Sequence, residues 1–211
     1  MNEFAFLTAV SVSVFALVDP VGALPFFVSL TEGFTDRDRR VVVGRATIVS
    51  GGVLAGFALV GRFLFAAFGF TLAAFEIAGG VLLFLVAYEM LSGGAQSTKM
   101  TAAEHIEGLT RRDEIAVVPL GIPLLAGPGA ISTVMIYEGN AGGDAFGILA
   151  VFVAIALTTG ATWIVLNYGQ RILRSIGKVG VMALTRVMGL LLAAVGVQFV
   201  IDGVLQVAPL L

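Results

Sequence analysis

Six apolar runs, near residues 4–30, 41–61, 71–91, 115–137, 145–167 and 183–207, leave little chain for anything else. Each is about 20 residues or more, the length an α-helix needs to cross a hydrocarbon core about 30 Å thick. Water is absent from that core, so backbone polar groups must pair within the segment, and runs of this length cross as helices. With 58% hydrophobic and 12% charged residues, and a mean hydropathy of +1.03, the chain is too apolar for a water-soluble domain of its size. The lipid bilayer is therefore its first expected partner, and no nucleic acid is expected. The first run follows Met-Asn-Glu with no basic residues before it, which predicts a retained span and not a cleaved signal.

The basic residues divide the connections into two sets. Arg37, Arg39 and Arg40 lie in the first, Lys99, Arg111 and Arg112 in the third, and Arg171, Arg174 and Lys178 in the fifth. The alternate connections and the termini hold Arg62 alone. Because basic loops stay in the cytoplasm, the odd connections are expected there and both termini on the non-cytoplasmic face of a cell inner (cytoplasmic) membrane. The segment 92–114 is polar with mixed charge and is expected to be a tether between a first unit, 1–91, and a second, 115–211.

Two spans carry residues that a spanning helix should avoid. In the first, Asp19-Pro20-Val21-Gly22-Ala23-Leu24-Pro25 places a carboxylate and two prolines inside apolar sequence. A carboxylate there costs roughly 2.5–3.5 kcal/mol on insertion scales, and proline removes a backbone donor. The order Asp-Pro suggests the answer: aspartate as N-cap and proline at the first helical position of a new half-helix. In the fourth span, Ala126-Gly127-Pro128-Gly129-Ala130-Ile131-Ser132-Thr133 repeats the pattern with glycine in place of aspartate. Broken helices at membrane depth are tolerated only where they face protein or a wet cavity.

The two breaks belong to an internal repeat. Pro20, Gly22, Ala23 and the later Glu32-Gly33 have counterparts in Pro128-Gly129-Ala130 and Glu138-Gly139, at offsets of 106 to 108 residues. Gly79, Leu82 and Gly93 match Gly189, Leu192 and Gly203 at an offset of 110. Three spans per unit is an odd number, so the second unit must enter the membrane from the opposite side. The expected fold is an all-α membrane protein with six transmembrane helices, built as two inverted three-helix repeats with broken first and fourth helices.

Inversion makes the two half-helix N-termini converge near the membrane centre. Each carries about half a positive charge and unpaired N–H groups, an environment that attracts an anionic group. Asp19 satisfies one end, and the other is left for a ligand. The substrate-binding candidates are Asp19, Pro20 and Gly22 at the first break, with Gly127, Pro128, Gly129, Ser132 and Thr133 at the second. Back-bonding to the carbonyl four residues earlier is an equal alternative for the two hydroxyls. Glu76 is a candidate for proton coupling. Gly51, Gly52, Gly79, Gly80, Gly189 and Gly196 fit close helix packing, and Asn167 and Gln198 fit hydrogen bonds between helices. His105 has no metal partner in view, and with no cysteine in the chain neither a metal nor a cofactor is expected.

Together these stretches resemble the MarC family of bacterial and archaeal membrane proteins. The resemblance is carried by Asp19 to Phe27, Phe75-Glu76-Ile77-Ala78-Gly79-Gly80, Pro119 to Thr133, Arg186-Val187-Met188-Gly189-Leu190 and Gln198-Phe199. It implies six spanning helices and a relationship to amino-acid exporters, some members being classed as neutral amino-acid transporters. Glu76 departs from the basic residue expected at that place.

Residues and resemblance lead to one expectation: a secondary transporter of small neutral amino acids or related carboxylate-bearing metabolites, working by alternating access. Its partners would be a small-molecule substrate and lipid, with a homo-oligomer left open. A passive channel for a small solute and a membrane scaffold without a permeant are the alternatives. An enzyme is not expected, since no His-Glu-x-x-His, Gly-x-Ser-x-Gly or second mid-membrane aspartate occurs.

Overall fold

The computed structural model describes residues 3–31, 34–92, 116–174 and 177–207. These are 91% helical and contain no strand. Helices α1 (Glu3–Val18) and α2 (Pro20–Leu30) meet at Asp19, and α3 (Asp36–Phe68) and α4 (Leu72–Leu91) complete the first unit. The second opens with a broken segment, Ala116–Leu125, followed by α5 (Pro128–Asn140), α6 (Ala145–Arg174) and α7 (Gly177–Val207). The tether, with Lys99, His105, Arg111 and Arg112, and the Glu32-Gly33 part of the repeat lie outside the described residues.

Local chemistry sets the helix ends. The Thr35 hydroxyl accepts the Asp38 N–H at the start of α3, and Thr71 does the same for Ala74 at the start of α4. Helix α3 stops at Gly69, whose φ of 70° is a left-handed cap. Its 33 residues make it roughly 50 Å long, more than a bilayer core requires, so it tilts or projects. The apolar run predicts an end near residue 61, but the helix continues for two turns past it. Arginine is a good helix former, and Arg62 stays exposed on the helix surface, 4.0 Å from the Glu138 carboxylate. At the other end of α3, the buried Arg39 guanidinium donates through Nε and Nη2 to the Thr31 carbonyl, at 3.1 and 2.9 Å. This ties the start of α3 to the end of α2.

Among the described residues, four stretches are long and apolar enough to cross a membrane: Glu3–Val28, Asp36–Phe68, Ala145–Gly169 and Arg186–Val207. The pair Ala116–Leu125 and Pro128–Asn140, bent by 58°, makes a fifth if taken as one span. The apolar stretch Leu72–Tyr88 of α4 is shorter.

The helices of each unit pack mainly on the other unit. α1 and α2 lie against α6, while the broken segment and α5 lie against α3. Helix α3 also contacts α6, and α4 pairs along its length with α7. Val10, Val14, Phe27, Val42, Leu54, Leu120, Leu125 and Leu166 are fully buried in the shared core.

Glycines allow the closest approaches. A Cβ on Gly196 would stand 2.7 Å from the Gly80 carbonyl oxygen, and one on Gly203 2.7 Å from that of Ala73. The register falls along α7 as it rises along α4, so the two run antiparallel. Gly51 meets Thr159, and a Cβ on Gly79 would overlap the Pro128 ring. Gly52 departs from the packing expectation, with open space beside it.

Candidate functional site

Asp19 is the hinge of the first span. Its φ is 41°, a left-handed value that aspartate tolerates better than most residues. Its Oδ1 accepts the Gly22 N–H at 3.0 Å, the N-cap bond that the Asp-Pro order leads one to expect. The break is shallower than a pair of separate half-helices: Asp19 N–H still donates to the Phe15 carbonyl, and Ala23 N–H to that of Asp19. Pro20 is buried, whereas Asp19 is exposed. Gly22 has a definite steric reason, because a Cβ there would overlap the Asp19 carboxylate.

The second break is deeper. Val118 and Ile122, each preceding a proline, take extended conformations inside Ala116–Leu125, because proline drives the residue before it out of the helical region. Helix α5 then starts at Pro128 behind Gly127, which provides no side-chain cap. Ile131 N–H closes the first turn onto the Gly127 carbonyl at 3.0 Å. Gly129 and Ala130, at the second and third helical positions, have no acceptor within the helix. This N-terminus therefore keeps its partial positive charge uncompensated by a capping side chain.

One cavity of about 130 Å³ brings the two breaks together. Asp19, Gly22 and Ala23 line it from one side, and Gly127, Gly129 and Ala130 from the other. Its remaining wall is apolar and comes largely from α7, with Met188, Leu192, Val195 and Phe199, and from Leu83 of α4. Among the described residues, Asp19 is the only charged one in the lining.

The other sequence candidates lie elsewhere. Pro20 and Pro128 are buried and do not appear in the cavity lining. The Ser132 hydroxyl donates to the Gly129 carbonyl at 3.0 Å and is buried, the back-bonded arrangement, though three residues back and not four. Thr133 faces a different cavity. Glu76, half-buried near the start of α4, accepts a 2.5 Å hydrogen bond from the Gln206 amide of α7 and lies outside the lining at Asp19. Gln198 pairs with Asp202 along its own helix, so Gln206 takes the bridging role expected of Gln198. The sequence reading missed Phe199, whose ring stands 3.1 Å from where a Cβ on Gly129 would be. Its membership of the resembling stretches was the available signal.

Helices that pack across two units, with an acid-bearing cavity between two interrupted spans, define a multi-pass α-helical integral membrane protein. A family model described as "MarC family integral membrane protein" matches residues 4–208, and the chain belongs to that family. It is 40% identical over 194 residues to a UPF0056 membrane protein of Methanocaldococcus jannaschii, covering 91% of this chain and 92% of the relative. It is 37% identical to a UPF0056 membrane protein of Aquifex aeolicus, covering 96% and 94% respectively. With YvbG of Bacillus subtilis, also a UPF0056 membrane protein, it shares 35% identity over 99% and 98%. These names state a membrane location and no solute. No solved structure matches the chain.

Proposed function

We propose that the chain is a secondary transporter for small neutral amino acids or related carboxylate-bearing metabolites, and not an enzyme. The observation that carries this reading is the shared cavity: a carboxylate whose cap bond uses Oδ1 and an uncapped helix N-terminus line one small, otherwise apolar space. A zwitterion matches that pairing. Its carboxylate suits the amides of Gly129 and Ala130, its ammonium suits Asp19, and a small side chain suits the wall of Leu192, Val195 and Phe199. Asp19 can serve both as cap and as ligand, because the cap uses Oδ1 only. Cavities of comparable size hold molecules as large as benzene, which fits a solute of a few heavy atoms.

Six spans in two inverted repeats, with both termini on the non-cytoplasmic face of the inner membrane, are part of the same proposal. The packing supports it: exchanging the units turns the contact of α1 and α2 with α6 into that of the broken segment and α5 with α3. The pairs α3 with α6 and α4 with α7 map onto themselves, and α4 and α7 run antiparallel as inversion requires. The ion pair between Arg62 and Glu138 supports placing both connections that follow them on one face. Glu76 keeps no part in solute binding in this scheme, and a coupling role for it rests on its half-buried position alone.

Counterflow of labelled small amino acids in proteoliposomes tests the function. The native chain should give saturable counterflow, and Asp19→Asn and Gly129→Leu, each checked for folding, should lose it. Linear, unsaturated flux would assign a pore instead, and no flux with folded protein would remove the transport reading.

A further inference from the structure

Thr133 lines a second space of about 540 Å³ between α1 and α5, broad and largely open to the surface, together with Ser13, Tyr137 and Asn140. Along α5, Gly129, Thr133, Tyr137 and Asn140 follow one another at steps of four, four and three, so they share one helix face. Gly129 belongs to the Asp19 cavity and the other three to the larger one. Leu17 lines both, and its Cδ1 is 3.7 Å from where a Cβ on Gly129 would stand. A single helix face and a single leucine thus connect the two spaces.

We propose that the larger cavity is an aqueous vestibule leading to the Asp19 cavity, and that Leu17 is the gate between them. The proposal rests on the transporter reading of the Asp19 cavity. The vestibule presents three hydroxyls and an amide, from Ser13, Thr133, Tyr137 and Asn140, beside the apolar Ala16, Leu17 and Ile136. Polar groups in that number suit a wet passage and are costly against hydrocarbon. Leu17 sits in the last turn of α1, two residues before the hinge at Asp19, so a small swing of that turn moves the leucine. One turn earlier, Ser13 Oγ and Tyr137 OH, 3.0 Å apart, hydrogen-bond α1 to α5 across the vestibule and hold the closed arrangement. On this reading the mouth is the Asn140 end of α5, whose last helical turn also carries Glu138 and its ion pair with Arg62.

The chain has no cysteine, so single cysteines report water access directly. Asn140→Cys and Thr133→Cys would mark the mouth and floor of the vestibule. Ala23→Cys would mark the inner cavity, with Val195→Cys on the opposite wall if Ala23→Cys fails to fold. A charged, membrane-impermeant methanethiosulfonate is applied to one face of sealed vesicles at a time. Asn140→Cys and Thr133→Cys should react from the same single face, and the inner cysteine from that face at least about tenfold more slowly, the equivalent of about 1.4 kcal/mol in barrier. Adding Leu17→Ala should remove that difference without changing the Thr133→Cys rate, and Leu17→Trp should abolish inner labelling from that face. Thr133→Cys inert from both faces, or an inner rate indifferent to residue 17, overturns the proposal. Labelling needs no permeant, so failure of the transporter reading would show separately, as absent counterflow.

Discussion

Asp19 combines a strained backbone with a side chain that offsets the strain. A left-handed φ costs an ordinary residue roughly 1–2 kcal/mol, and aspartate or asparagine less, while a good N-cap returns about 1 kcal/mol. Asparagine keeps both advantages and loses only the charge. Asp19→Asn should therefore unfold in detergent within about 1 kcal/mol of the native chain. Asp19→Ala, which loses the cap and takes the full strain, should be destabilised by about 1–3 kcal/mol. Equal thermal stability of the two variants would remove the cap from the account. The Asp-Pro order made this residue legible in the sequence, and the hydrogen bond to Gly22 follows from it. The separation of Ser132 from Thr133 was a failure of a different kind. Neighbouring helical residues do not share a face, so grouping them in one site placed together two hydroxyls that the helix turns toward different surroundings.

The pairing of α4 with α7 depends on backbone proximity, which side-chain packing cannot replace. A branched side chain at Gly196 meets the Gly80 carbonyl and the Phe84 amide nitrogen, neither of which can rotate away. Gly196→Val should lower stability by about 1–3 kcal/mol or more, read as a drop in the detergent unfolding temperature. Gly52→Ala, in open space on α3, should be neutral or raise stability by up to about 1 kcal/mol, since alanine is the better helix former. Should the two variants behave alike, the contrast drawn from the backbone contacts would be wrong. The sequence could say that these glycines pack, but not which of them do: Gly52 and Gly51 are adjacent, and only Gly51 meets a neighbouring helix. The helix starts expected near residues 71 and 145 are where the structure has them, with Thr71 and Asp144 accepting the N–H groups of Ala74 and Gly147, whereas the expected end of α3 fell short, because a lone arginine interrupts hydrophobicity without interrupting the helix.

The pairing of the helices across the whole molecule is the part hydropathy hides most completely. Leu82, Val187 and Leu190 are exposed, whereas Val42, Leu54 and Leu166 are buried, yet all are equally apolar. Lipid and protein make the same demand on a side chain, so periodicity does not distinguish the outer from the inner face of a span. The matched offsets lead one to expect a repeat, but they do not say that the helices of 1–91 take their main partners from those of 115–211. That arrangement has a direct consequence. A unit expressed alone would present to lipid the faces of α1 and α2 that meet α6, or of the broken segment and α5 that meet α3. Those faces hold the cavity carboxylate and the interrupted backbone, which lipid does not satisfy. Dividing the chain within residues 93–114 should therefore give two pieces that are degraded or aggregated when made singly. Made together, they should form a complex that survives detergent extraction and co-purifies. A first unit that is stable and monodisperse by itself would mean that the contacts between the units are dispensable, and the intertwined fold would have to be abandoned.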